Sequence, residues 1–110
     1  MVSIRKAKPS DLNFLNQIFF LNIPKYFHEK EFEDFKKYIN SNHIETYFII
    51  ESEDKILGAA GYAYENKQTA SICWVFVDPG FHSNGLGAKL VNHCIDILKK
   101  DNQLNVIQLQ

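Results

Sequence analysis

Two glycines one residue apart, Gly85 and Gly87, stand at the entrance of the most regularly amphipathic stretch of the chain. The segment around them runs Val75-Phe76-Val77-Asp78-Pro79-Gly80-Phe81-His82-Ser83-Asn84-Gly85-Leu86-Gly87-Ala88. An apolar strand ends there, a proline-containing turn follows, and a helix begins. The first amides of a helix have no partner within it, and the helix dipole adds partial positive charge at that end. Together they form a site for a phosphate group. Glycines without a Cβ let such a group approach the backbone closely. The competing reading is a plain Asn84-Gly85 hairpin turn, which the helical spacing after it opposes. The segment is not a Walker loop, because no Gly-Lys-Ser/Thr is present. It is a poor dinucleotide fingerprint, because no third glycine follows.

Other residues offer less. His28, His43 and His93 show neither metal nor triad spacing. Cys73 and Cys94 fit no zinc pattern and lie in apolar stretches, so they read as buried thiols of a reducing compartment. Glu65 is a candidate base beside a turn. Asp78 is a second candidate, although it fits better as the residue that fixes the turn before the loop.

The elements that must position the loop are legible from periodicity. Val2 to Lys6 reads as a strand. Pro9-Ser10-Asp11 reads as a helix start, with Ser10 or Asp11 capping the free amides. Leu12, Leu15, Ile18 and Phe19 then recur at helical spacing up to about Asn22, before Ile23-Pro24. A second helix is expected from about His28 to Ile39, ended by Asn40-Ser41-Asn42. Three strands follow, Thr46 to Glu51, Lys55 to Tyr64 and Thr69 to Val77, separated by polar turns at residues 52–54 and 65–68. Asn84 to Lys100 is the clearest helix, with Leu86, Leu90, Cys94 and Leu98 spaced by four. Leu104 to Gln110 reads as a last strand. The order β-α-α-β-β-β-α-β implies one α/β (α+β) domain over residues 1–110 around a central mixed sheet.

Composition narrows the function classes. The chain has 110 residues, 45% of them apolar, enough for one domain with a core. Twelve basic and thirteen acidic residues give a net charge of −1, which opposes nucleic acid as the main partner. No secretory leader and no apolar run of membrane length is readable, so the expected location is cytoplasmic, with no membrane partner.

The loop segment resembles motif A of the GNAT superfamily of N-acyltransferases. That motif runs Val-x-Pro, then Gln/Arg-x-x-Gly-x-Gly/Ala, then an apolar helix. Val77-Asp78-Pro79 matches the first part, and residues 82–87 match the second except at His82. Ile4-Arg5-Lys6-Ala7 followed by Pro9-Ser10-Asp11-Leu12 is similar to the family's opening, and the element order is the family's order. The resemblance implies acetyl-CoA as the acyl donor, with no metal, and direct attack by a primary amine. It implies that backbone groups of Val75, Phe76 and Val77 pair with the pantetheine arm, an N–H near Val77 polarising the thioester carbonyl. It implies that the loop and first turn, His82, Ser83, Asn84, Gly85, Leu86, Gly87 and Ala88, hold the pyrophosphate.

Two departures shape the expectation. His82 replaces the usual Gln or Arg, and Ser83 and Asn84 stand where basic residues are common, so the loop relies on backbone amides, with Lys89 as compensation. That predicts weaker or more pH-dependent CoA binding. The chain also stops at the fifth strand, whereas the family continues with a helix and two strands. The tyrosine acid of that helix has no counterpart here, and Gln110 stands near the position of a catalytic glutamate. The catalytic residues are therefore unknown, and a truncated member or a fragment of a longer protein is expected. Tyr26, Phe27, Tyr62, Tyr64 and Trp74 are candidates to line an acceptor pocket, with core packing as the competing reading. Two other functions fit the same residues: a non-catalytic CoA-binding module, or an interaction domain, such as a homodimer, built on the exposed C-terminal strand edge.

Overall fold

A computed structural model describes residues 2–23, 25 and 27–109, with side chains at all of these except 42, 43 and 83. Its strands are β1 (Ser3–Lys6), β2 (Tyr47–Ser52), β3 (Lys55–Asn66), β4 (Thr69–Val77) and β5 (Val106–Leu109), and its helices α1 (Leu12–Leu21), α2 (Glu29–Ile39) and α3 (Leu86–Leu98). The sheet order is β1-β2-β3-β4-β5. The first four strands pair antiparallel and β5 joins β4 in parallel. A parallel partner needs a crossover, and α3 is that crossover. The result is the mixed α+β sheet that the element order implies.

Strand alternation divides the core in two. On one face α3 buries Leu86, Leu90, Cys94 and Leu98 against Phe48, Ile50, Ala60, Ala70 and Ile72. On the other, Leu15, Ile18 and Phe19 of α1 and Phe35 and Ile39 of α2 cover Tyr47, Ile49, Ala59 and Phe76. Phe19 is the hub of this second face. Its ring stacks on Phe35 at 4.7 Å and on Phe27 at 4.5 Å, and meets the edge of Phe76 at 5.3 Å. Both cysteines are free and buried. Among the described residues no helix is long and apolar enough to cross a membrane.

Several boundaries differ from expectation. Neither Ser10 nor Asp11 caps the first helix. Pro9–Asp11 forms a 3-10 helix ahead of α1, and the Asp11 carboxylate is committed elsewhere. It accepts a fork from Arg5 Nη1 and Nη2 at 2.9 and 3.0 Å and the Lys8 N–H at 2.7 Å. Arg5 Nε reaches Glu51 at 3.0 Å, tying β1, β2 and the start of α1 together. The second helix does not simply give way to a strand, because Asn42–Thr46 adds a 3-10 helix. Helix α3 begins at Leu86 and not at Asn84, since Pro79–Asn84 is a 3-10 helix. The β2–β3 hairpin turns on Glu53 and Asp54 at φ 51° and 66°, a left-handed pair made without glycine.

Candidate functional site

The site expected from sequence sits where β4 ends. The described residues of β5 pair with β4 from Thr69 to Ile72, so the edge of Cys73 to Val77 on that side is open among the described residues. At the strand's end the Asp78 N–H donates to Leu57 C=O at 2.7 Å. That bond flanks the Gly58–Val77 pair, which makes it a non-hydrogen-bonded pair of the antiparallel ladder. The N–H and C=O of Val77 therefore point away from β3, toward the open edge.

Upstream, β4 is bulged. Its register against β3 shifts between Ala59 and Gly61, so that Trp74 and Val75 oppose Ala60. Trp74 has φ 52°, a left-handed value costly for an aromatic residue and typical of a bulge whose first residue is usually glycine. The Tyr47 hydroxyl, fully buried on β2, donates to the Trp74 carbonyl at 2.7 Å. Tyr47 reaches it by lying across β3 at Gly61, where any Cβ would collide with the Tyr47 ring and sit 2.9 Å from Thr46 C=O. Gly61 of β3 thus makes room for the contact that reaches the bulge of β4. No signal in the sequence announced the bulge, because tryptophan and valine are ordinary strand residues.

Beyond the strand, Asp78 Oδ1 accepts the Gly80 N–H at 2.9 Å and so fixes the turn. The 3-10 helix Pro79–Asn84 returns the chain to β4. There His82 Nε2–H donates to the Val77 carbonyl at 2.7 Å. Gly85 adopts φ 70°, the left-handed conformation that glycine takes at least cost, and α3 starts from it. The first bond within α3 is Lys89 N–H to Gly85 C=O at 3.2 Å, and among the described side chains none caps the amides ahead of it. Those amides belong to Leu86, Gly87 and Ala88. A Cβ on Gly87 would lie 4.0 Å from Val77 Cγ2, with no nearer neighbour. The space over the helix start is therefore open, and an anion can reach the amides.

The fold brings Val77, His82, Gly85 and Gly87 together. Val75 is half-buried, while Phe76 is buried under α1 and α2. Leu86 is buried beneath α3, so only its backbone faces the loop. Asn84 and Lys89 line a cleft of about 510 Å³ beside the helix start, shared with Lys55 and Phe81. Lys55 Nζ lies 4.9 Å over the Phe81 ring. Lys55 and Asn22 were missed by sequence reasoning. Lys55 arrives from the β2–β3 hairpin, and Asn22, at the end of α1, donates from Nδ2 to Val77 C=O at 3.2 Å. Only tertiary structure places either there.

The other candidates go elsewhere. Phe27 and Trp74 belong to the aromatic cluster around Phe19. Tyr62 packs on Phe48 at 6.2 Å, and Tyr64 donates to Asp101 at 2.7 Å. Glu65 accepts from the Ser71 hydroxyl at 2.7 Å on the far end of β3. Tyr26, Gln110 and the side chains of Ser83 and His43 lie outside what is described. Beside the bulge, the Tyr38 hydroxyl lies 3.4 Å from Cys73 Sγ. Burial pushes the Tyr38 phenol above its ordinary pKa and the Cys73 thiol likewise.

The model of the acetyltransferase (GNAT) family matches residues 12–110. None of the curated proteins matches the chain in sequence. Among solved structures, a GNAT family acetyltransferase of Brucella melitensis in complex with acetyl-CoA is similar with a TM-score of 0.79 at 20% identity, over 93% of this chain and 71% of its own. A protein of Pyrococcus horikoshii gives 0.74 at 22%, over 96% and 77%. N-acetylglutamate synthase of Neisseria gonorrhoeae, complexed with coenzyme A and N-acetyl-glutamate, gives 0.71 at 23%, over 96% of this chain and 25% of its own. At these identities the likeness speaks for the fold, while the family match spans nearly the whole sequence. The chain belongs to the acetyltransferase (GNAT) family.

Proposed function

We propose that the protein transfers an acetyl group from acetyl-CoA to a primary amine, with the donor held along the open edge of β4 and over the start of α3. The observation that carries this reading is the junction of those two features. A strand edge presents the Val77 N–H outward, and the uncapped amides of Leu86, Gly87 and Ala88 open beside it. An extended amide chain ending in a pyrophosphate matches that sequence of groups. In this reading Val75, Phe76 and Val77 flank the pantetheine arm. His82, Ser83, Asn84 and Gly85 form the loop that closes on the phosphates. Lys55 and Lys89 add positive charge to the adjoining cleft. The solved relatives crystallised with acetyl-CoA or coenzyme A support this choice of donor. The amine nitrogen attacks the acetyl carbon of the thioester without an acyl-enzyme. The C–N bond forms, the C–S bond breaks, and the proton lost by the nitrogen ends on the departing CoA thiol.

Acetyl-CoA binding by titration calorimetry tests the reading, with Gly87→Trp as the control. A Cβ at Gly87 meets only Val77 Cγ2, at 4.0 Å, and the variant is expected to lose binding, with its fold checked by circular dichroism. Equal binding by both proteins would remove the donor from the start of α3.

One observation favours a second reading, a CoA-binding module without turnover. Asp78 and Glu65, the carboxylates considered as bases, each already hold a structural hydrogen bond. Thiol release from acetyl-CoA across a panel of primary amines separates the two readings. Self-association through the outer edge of β5, where Val106 and Leu109 are exposed, is the accompanying proposal. A monomer by light scattering would refute it.

A further inference from the structure

Asn22 closes α1 and is only 1% exposed. Its Nδ2 donates twice, to Ile18 C=O at 2.9 Å and to Val77 C=O at 3.2 Å. Those two bonds fix the orientation of the carboxamide, since the flipped form would set Oδ1 against two carbonyl oxygens. Oδ1 is buried and, among the described residues, has no hydrogen-bond partner. A buried acceptor left unpaired costs about 1–3 kcal/mol, which offsets much of what the two donated bonds contribute. Asn16 Oδ1 is also unpaired, but its side chain lies along a shallow groove with Phe20 and Phe32, away from the β4 edge.

The place of Asn22 gives the unpaired atom a use. The Val77 carbonyl faces the open edge of β4 and already receives two donors, Asn22 Nδ2 and His82 Nε2. A carbonyl oxygen has two lone pairs, so this one has none to spare. A ligand that adds to a strand edge as a further strand needs acceptors as well as donors. At Val77 the strand offers its N–H alone. The acceptor that remains sits on the same carboxamide that occupies the Val77 carbonyl.

We propose that Asn22 Oδ1 accepts a hydrogen bond from an amide N–H of the pantetheine arm of CoA, in place of the saturated Val77 carbonyl. The proposal rests on the reading of the open β4 edge as the donor site. It makes Asn22, from α1, a ligand-binding residue and couples the end of α1 to occupancy of the edge.

Calorimetry with two probes tests it: CoA, and adenosine 3′,5′-bisphosphate, which keeps the nucleotide end and lacks the arm. Asn22→Leu should weaken CoA about tenfold, the loss of one hydrogen bond, and leave the bisphosphate unchanged. Unchanged CoA affinity, or equal weakening of both probes, would overturn the role of Asn22. No CoA binding by the native chain would instead overturn the donor-site reading. If Asn22→Leu fails to fold, the side-chain carbonyl carbon of Asn22 in the native protein decides by NMR. Its resonance should shift on addition of CoA and stay in place with the bisphosphate, and an unmoved resonance with CoA overturns the proposal.

Discussion

Replacing Tyr47 by phenylalanine removes one oxygen and tests how the β4 bulge is held. The hydroxyl is fully buried and its 2.7 Å bond to the Trp74 carbonyl crosses β3. Without it that carbonyl loses its partner at a strained residue. Leaving a buried acceptor unpaired costs about 1–3 kcal/mol, and a left-handed aromatic residue stores on the order of 1–3 kcal/mol of strain that its surroundings must restrain. A loss of about 2 kcal/mol is therefore expected for Tyr47→Phe. With a urea slope of about 1–2 kcal/mol per molar for a small domain, the midpoint should fall by about 1–2 M at unchanged slope. Trp74 is the single tryptophan of the chain and packs 5.6 Å from Phe35, so its emission reports on the bulge itself. A red shift in the folded variant should accompany the lost stability. A midpoint change below about 0.2 M with unchanged emission would show that the bulge is held by chain geometry alone.

Gly61→Ala perturbs the same contact from the other side. Its Cβ would displace the Tyr47 ring and crowd Thr46 C=O at 2.9 Å, so a loss of about 1–3 kcal/mol is expected, read by thermal melting with the same Trp74 emission change. Asp11→Asn should cost about 2 kcal/mol at neutral pH, because the Arg5 fork loses its carboxylate. Hydrogen bonding from Arg5 holds the Asp11 pKa below its ordinary value. That stabilisation is present above about pH 4 and fades as pH falls through the folded-state pKa, so the gap between native and variant should narrow in acid urea titrations. At the alkaline end, burial raises the pKa of Tyr47 and Tyr38, and pushes Cys94 up to about 11. Their contribution is whole below the unfolded-state values and is lost as pH rises. Tyr47, the fully buried one, should alone remove on the order of 1.4 kcal/mol per unit above about pH 10, and a stability flat to pH 11 would contradict its burial.

The family match, residues 12–110, includes the loop that the sequence singled out. Local chemistry explains why the elements around that loop were legible. Leu86, Leu90, Cys94 and Leu98 recur at four, and all are buried beneath the sheet. Pro79 cannot continue a ladder, and β4 ends at Val77. Gly85 can hold φ 70° where other residues strain. Spacing of this kind acts over a few residues, so it is written in the chain. Helix starts were less legible. Whether Asp11 capped α1 depended on Arg5, six residues earlier on β1, and the guanidinium won the carboxylate.

The sequence by itself determined the order of elements, the mixed sheet and the glycine-rich entrance to α3, because periodicity and turn chemistry are local properties. Only the tertiary structure decided the working detail of the edge. The carbonyl of left-handed Trp74 is met by the hydroxyl of Tyr47, twenty-seven positions away. Val77 C=O is closed to further donors because Asn22, fifty-five positions away, meets His82 there. Lys55 joins Lys89 beside the helix start because a hairpin turns on Glu53 and Asp54. Each depends on a hydrogen bond or contact between distant residues, and such contacts exist only once the two faces of the sheet have been packed.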